Sequence, residues 1–160
     1  MGLTPYVAGF RLDGPVDANV ISMPAAIVNI AKGDILKDDG AGYVTNASIT
    51  TFAAATAFYV AIEDVDNSGG SLGTLSVLCV LANDPRNRWV VQVEDQNVLA
   101  QTDVGTIVDL QSEDGIDADA AVTNKGIGFL IEEIDISAAA IAANTYGYAK
   151  GRFIILGEAT

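Results

Sequence analysis

Ala82-Asn83-Asp84-Pro85-Arg86-Asn87-Arg88-Trp89-Val90-Val91-Gln92-Val93-Glu94-Asp95 runs a turn signal directly into a strand signal. Pro85 presets its own φ, and Asn83 and Asp84 hydrogen-bond their own backbone, which favours a turn. From Arg88 onward the residues alternate. Trp89, Val91 and Val93 point one way, and Arg88, Val90, Gln92 and Glu94 the other. Upstream, Leu75 to Ala82 is apolar except for Ser76, the pattern of a strand buried on both faces. The two strands read as a hairpin joined through Asn83-Asp84-Pro85. Trp89 is the chain's only Trp, and Arg86 and Arg88 are two of its eight cationic residues.

Composition bounds the rest. A chain of 160 residues fits one domain and buries roughly two-thirds of its unfolded surface. Half the residues are hydrophobic, yet aromatics make up only 7%, so the core is built mainly from Ala, Val and Ile. No apolar run approaches the ~20 residues that cross a bilayer as a helix. The opening Met-Gly-Leu-Thr-Pro lacks the basic-then-apolar pattern of a secretory leader, so no membrane association is expected. Net charge is −13, from 21 acids against 8 bases. Nucleic-acid binders carry Lys/Arg clusters against phosphate, so no nucleic-acid partner is expected. Apolar content beside high charge suits an oligomer whose subunits bury apolar surface together.

There is no His and only one Cys, Cys79. This excludes Ser-His-Asp and Cys-His catalysis, His-ligated zinc, Cys-rich zinc and an internal disulfide. Cys79 sits inside the most apolar strand and reads as a small buried hydrophobe. The glycine-rich Lys32–Tyr43 stretch lacks the Gly-Lys-Ser/Thr ending and following helix of a phosphate loop. Glu63–Gly70 spaces its acids like a calcium loop, but the required acid at loop position twelve is Leu75. Ser112–Ala120 holds four acids without diagnostic spacing and reads as a solvated loop. No catalytic, cofactor or metal constellation is therefore expected.

Along the chain, Pro5, Gly9, Gly14, Pro15 and Pro24 break any period in residues 1–31. That segment reads as an irregular arm with short strands, packed on its own domain or gripping a neighbouring subunit. Residues 32–160 read as the core domain. Ile35-Leu36 and Tyr43-Val44 are expected to be strands around an Asp39-Gly40 hairpin turn. Thr45–Thr56 is ambiguous between helix and strand. Phe58–Ile62, Gly105–Leu110, Gly126–Ile136 and Arg152–Leu156 read as strands. A shift in apolar parity predicts a bulge at Glu132-Glu133. Ser137–Ala143 is expected to be a short helix capped by Asp135 or Ser137, and Asn144–Gly151 a turn region. Strand-like runs between Gly, Asp and Asn turns indicate a mainly β chain: one compact β-barrel or β-sandwich, with at most one or two short helices.

The order of these pieces resembles the head decoration, or cement, proteins and related minor virion proteins of tailed bacteriophages. The resemblance is carried by Lys32-Gly33-Asp34, Leu75–Ala82, Asn83-Asp84-Pro85, Trp89–Asp95 and Val104-Gly105–Leu110. Trp89 stands where Phe is more usual, and the C-terminal third matches loosely. The resemblance implies a non-enzymatic protein, made in the host cytoplasm and bound to the outer surface of the assembled head. Its implied partners are the major capsid protein and its own copies, as a homotrimer. Candidate contacts are Tyr6, Phe10 and Arg11 in the arm and Arg86 and Arg88 at the turn. Head-fibre or tail components, and an acidic carbohydrate-binding β module, are the alternative readings. A carboxylate pair runs glycoside hydrolysis without His, but carbohydrate grooves usually present more aromatics than Trp89 and a few scattered Tyr.

Overall fold

A computed structural model describes residues 9–13, 20–46, 57–94, 98–121 and 127–155. In chain order the strands are β1 (Arg11–Leu12), β2 (Val20–Pro24), β3 (Asn29–Ile30), β4 (Ile35–Asp38), β5 (Val44–Asn46), β6 (Phe58–Ala61), β7 (Val65–Asp66), β8 (Ser76–Leu81), β9 (Trp89–Val93), β10 (Ile107–Ser112), β11 (Gly115–Ala121), β12 (Ile127–Asp135) and β13 (Tyr148–Ile155). A 3-10 turn covers Gln101–Asp103, and helix α1 covers Ala138–Ala143. The chain is mainly β, and its centre is a closed five-stranded barrel. The ring runs β9-β11-β10-β12-β13 and closes by pairing β13 with β9. Pairing between β9 and β11 is parallel, with Gly115 opposite Gln92 and Ile116 opposite Val93.

The alternation in β9 does what its sequence dictates. Trp89, Val91 and Val93 enter the barrel core, where Leu110, Ile116, Phe129, Ile131 and Phe153 meet them. Val90, on the outer face, is buried too, because α1 covers it: Val90, Ala140 and Tyr148 form a small separate cluster. Ser137 caps α1, its Oγ accepting from the Ala140 N–H at 3.3 Å. Aromatic rings dominate the barrel core. Phe153 lies 4.8 Å from Phe10, 5.5 Å from Phe129 and 5.9 Å from Trp89, centroid to centroid. Such tilted and edge-on pairs suit the ring quadrupoles.

The β12–β13 ladder shifts register between Ile131 and Glu133, which is the bulge that the parity change predicts. Opposite the shift, Gly151 is buried with the Leu130 carbonyl in the space a Cβ would occupy. The strands approach that closely only because residue 151 has no side chain.

A second sheet, ordered β2-β8-β6-β4-β5, packs against the barrel. Ile35, Phe58, Val60 and Val80 on one face join the barrel core. Leu36, Val44, Ala61, Val77 and Cys79 on the other face form a second core with Ala25 and Ile30. The two-stranded β3–β7 ribbon contributes Ile30 to that core and packs the partly buried Val65 against it. The β4–β5 hairpin turns as expected: the Asp38 and Asp39 carboxylates accept from the backbone N–H groups of Gly40, Ala41, Gly42 and Tyr43. Gly40, at φ +90°, takes the left-handed conformation there.

Several expectations are corrected. First, β8 and β9 are not a hairpin. Both edges of β8 are taken by β2 and β6, and those of β9 by β13 on one side and β1 and β11 on the other. Asn83–Asn87 is therefore a crossover between the two sheets. Second, β8 is not buried throughout. Cys79 and Val80 are buried on opposite faces, but Leu78 is 40% exposed, because on its face the barrel core takes only Val80 and Ala82, and Leu81, on the Cys79 face, is 37% exposed. Third, Ser112–Ala120 is not a solvated loop. It is the end of β10, a tight turn at Glu113-Asp114, and β11, whose Ile116 is fully buried. Fourth, the segment read as a turn up to Gly151 already belongs to β13 from Tyr148 onward, since Tyr148 and Ala149 are buried. The described part of residues 1–31 is built into the barrel sheet through β1, the second sheet through β2 and the two-stranded ribbon through β3. The ambiguous Thr45–Thr56 stretch falls largely outside the described residues.

Candidate functional site

The crossover carries the two arginines singled out in the sequence. Asp84 accepts from Arg86 at both carboxylate oxygens, Nε to Oδ1 at 3.0 Å and Nη2 to Oδ2 at 2.7 Å. That guanidinium and the Arg86 backbone N–H hold the Asp84 carboxyl down at about 2. Arg88 reaches across to Glu132 at 2.7 Å, next to the β12 bulge, where Arg152 also approaches Glu132 at 3.7 Å. Both arginines meet acids of their own chain. The Arg86 and Arg88 side chains are 73% and 52% exposed, so solvent screens both pairs and neither adds much to stability. Phe10 is a core residue at 2% exposure, which removes it from any surface contact. Arg11 is half-buried on β1, opposite Val90. Tyr6 lies outside the described residues. Of the four described candidates, Phe10 is in the core, and the pairing of β1 with β9 sets Arg11 two residues along from Arg88.

Beside the crossover lies a shallow cleft of about 280 Å³, lined by Ile21, Tyr59, Val80, Leu81, Asp84 and Asn87. Tyr59 sits at its wall, its hydroxyl shifted upward, mainly by burial. Cys79, one residue from the cleft's Val80, is wholly buried, and desolvation pushes its thiol up to about 12. A thiol held that high is not a nucleophile near neutral pH.

Exposed apolar residues cluster on the second sheet. Among the described residues nine large hydrophobic side chains are exposed, and six of them, Val20, Ile27, Leu72, Leu75, Leu78 and Leu81, belong to that sheet and its loops. Asn67 holds part of this rim in place. It is 1% exposed, and its amide donates to the carbonyls of Ala25 (3.2 Å), Ala26 (3.0 Å) and Ser71 (2.9 Å). The Leu75 carbonyl accepts from Ala25, and the Gly73 N–H donates to Ala25 in return. Nothing in Asp-Asn-Ser-Gly-Gly announces this clamp beyond a generic turn signal. Two of its three partners, Ala25 and Ala26, are more than forty residues away in sequence.

The seam between barrel and second sheet is acidic. Asp34, 6% exposed, accepts at Oδ2 from the Ala31 N–H (2.9 Å) and Asn46 Nδ2 (3.0 Å). Burial, with Glu113, Asp114 and Asp64 nearby, pushes its carboxyl up to about 6 despite the Ala31 hydrogen bond. Next to it, the Ile35 N–H donates to the Glu113 carbonyl at 2.7 Å, tying β4 to the β10–β11 turn. On the barrel side Ser112 Oγ stands 2.6 Å from Glu94 Oε2 and 2.7 Å from Asp114 Oδ1. Burial, and then the Asp114 side chain, raise the Glu94 carboxyl above its usual range, against the Ser112 and Gln92 hydrogen bonds. Both carboxyls thus converge on the one Ser112 hydroxyl. Among the described residues no group of three or more His, Cys, Asp or Glu is placed to hold a metal ion.

No protein-family model, curated protein or solved structure matches the chain.

Proposed function

We propose that this chain is a tailed-phage head decoration protein. In this reading it binds the outer surface of the assembled capsid, as a homotrimer, and strengthens the contacts between major capsid subunits. The observation that carries the reading is the apolar rim of the second sheet. Six of the nine exposed large apolar side chains among the described residues belong to that sheet and its loops, on a chain of net charge −13. Exposed apolar surface of that kind is characteristic of protein contacts. The sequence resemblance through Lys32-Gly33-Asp34, the Asn83-Asp84-Pro85 crossover and the Trp89 strand supports the same reading. A protein that binds the assembled lattice and not the free subunit stabilises the shell by mass action. Acidic charge suits a position outside the shell, away from the packaged genome.

Mixing the purified protein with undecorated heads and pelleting them tests this directly. Co-sedimentation to saturation is expected. A protein that stays in the supernatant at saturating concentration refutes the reading. Leu78→Lys, at an exposed position on β8, is expected to fold normally and lose co-sedimentation. Light scattering reports the trimer.

A further inference from the structure

The seam between barrel and second sheet contains a hydrogen-bond count that does not close with every acid ionised. Ser112 Oγ has one hydrogen to give and stands within hydrogen-bond distance of two carboxyl oxygens, Glu94 Oε2 and Asp114 Oδ1. If both acids are ionised, one of those short contacts sets two acceptors against each other. One proton resolves it: a protonated carboxyl donates to Oγ, and Oγ donates to the other carboxylate. Oγ also accepts from the Asp114 N–H at 3.3 Å, and Gln92 Nε2 donates to Glu94 Oε1 at 3.2 Å, so the remaining valences are used. Asp34 lies on the other side of the same seam. It is buried, and the charged groups acting on it are all acids: Glu113 and Asp114 from the barrel turn and Asp64 from the loop after β6. The Asn46 amide that donates to Asp34 carries a buried Oδ1 with no donor among the described residues. A neutral Asp34 brings an O–H into that surrounding, where an ionised one brings only acceptors.

We propose that this seam is a proton-held latch. Asp34 on β4 and the Glu94–Asp114 pair across Ser112 retain protons, and their loss as pH rises sets negative charges against one another and loosens the contact between the 113–114 turn and β4. The latch is independent of the decoration reading and requires no ligand. The sign is fixed by the direction of the shifts. Asp34 and Glu94 hold protons more tightly in the folded chain than in the unfolded one. The seam is therefore firmest below about pH 4, weakens as pH rises from there through about 6, and changes little beyond that.

Carboxyl carbon NMR of the unmodified protein, titrated from pH 3 to 8, tests the first half. Asp34 and Glu94 are expected to titrate with midpoints above the usual carboxylate range. Amide hydrogen exchange tests the second. After correction for intrinsic exchange, protection of the Ile35 N–H is expected to fall about tenfold or more between pH 5 and 7.5, the change equivalent to about one pKa unit. The Ile131 N–H, bonded to the Thr106 carbonyl inside the barrel, serves as the internal control and should hold its protection. Midpoints of both carboxyls below about 4.5 overturn the proposal. So does Ile35 protection that tracks Ile131 across the range.

Discussion

Replacing Trp89 by Phe measures how firmly the crossover is tied to the barrel. The indole is fully buried, and its Nε1–H donates to the Ala82 carbonyl at 3.2 Å, closing the Asn83–Asn87 segment from inside. Phe removes that donor, a loss of ~1 kcal/mol. It also removes the larger ring's contacts with the Phe153 cluster, at ~1–2 kcal/mol for the apolar volume and the space left. The expected total is roughly 2–3 kcal/mol, or a drop of roughly 5–10 °C in Tm for a domain of this size. Urea unfolding followed by far-ultraviolet circular dichroism gives the difference, with an unchanged m-value as the check that the folded state is the same. A double-mutant cycle with Phe153→Leu should show coupling of ~0.5–1.5 kcal/mol between the two rings. A loss below ~0.5 kcal/mol for Trp89→Phe would mean that the indole is a passenger and the crossover is held elsewhere.

Other perturbations follow from the same contacts. Asp34→Asn fixes the side chain in a neutral form. Because the folded carboxyl sits at about 6 against an ordinary value of 3.8, wild-type stability should fall between pH 4 and 6 relative to the variant, by roughly 3 kcal/mol at most, and the gap should stay constant above pH 7. Parallel unfolding curves across pH read it directly. Gly151→Ala drives a Cβ into the Leu130 carbonyl, so the variant should lose ~3 kcal/mol or more, seen as collapse of the dispersed amide NMR spectrum or as insoluble expression. Asn67→Ala removes a side-chain donor from three carbonyls that each keep a backbone donor, and should cost ~1–2 kcal/mol. Limited proteolysis should then cut within Ser68–Leu75 before the barrel yields.

Barrel strands with clean alternation were legible in the sequence: Trp89-Val91-Val93 and the Glu132-Glu133 bulge stand where the pattern puts them, because a side-chain period of two translates directly into faces. What pattern cannot give is the partner. A turn signal such as Asn83-Asp84-Pro85 marks a reversal but not whether the strands on either side pair, and here it joins two sheets. The β11 strand was hidden by its acids. Ile116, Ala118 and Ala120 alternate with Asp117 and Asp119, a strand signal masked by reading the charges as solvation. Leu78 and Leu81 show the opposite error: apolar identity was read as burial, yet both remain exposed. The acidic seam was not readable, because Asp34, Glu94 and Asp114 are far apart in the chain and come together only when the Glu113 carbonyl receives the Ile35 N–H.

The parallel contact of β9 with β11, beside its antiparallel contact with β13, has a consequence for how the chain reaches this state. β9 lies mid-chain, but the strands that close the barrel around it follow later in the sequence. At a synthesis rate of ~5–20 residues per second, β13 leaves the ribosome several seconds after β9. Until then Val90-Val91-Gln92-Val93 is an apolar strand with open edges, the type of segment that seeks foreign partners. The barrel is expected to close late and slowly, as long-range β pairing does. Chains stalled or truncated before Tyr148 should therefore aggregate, whereas the finished chain should not.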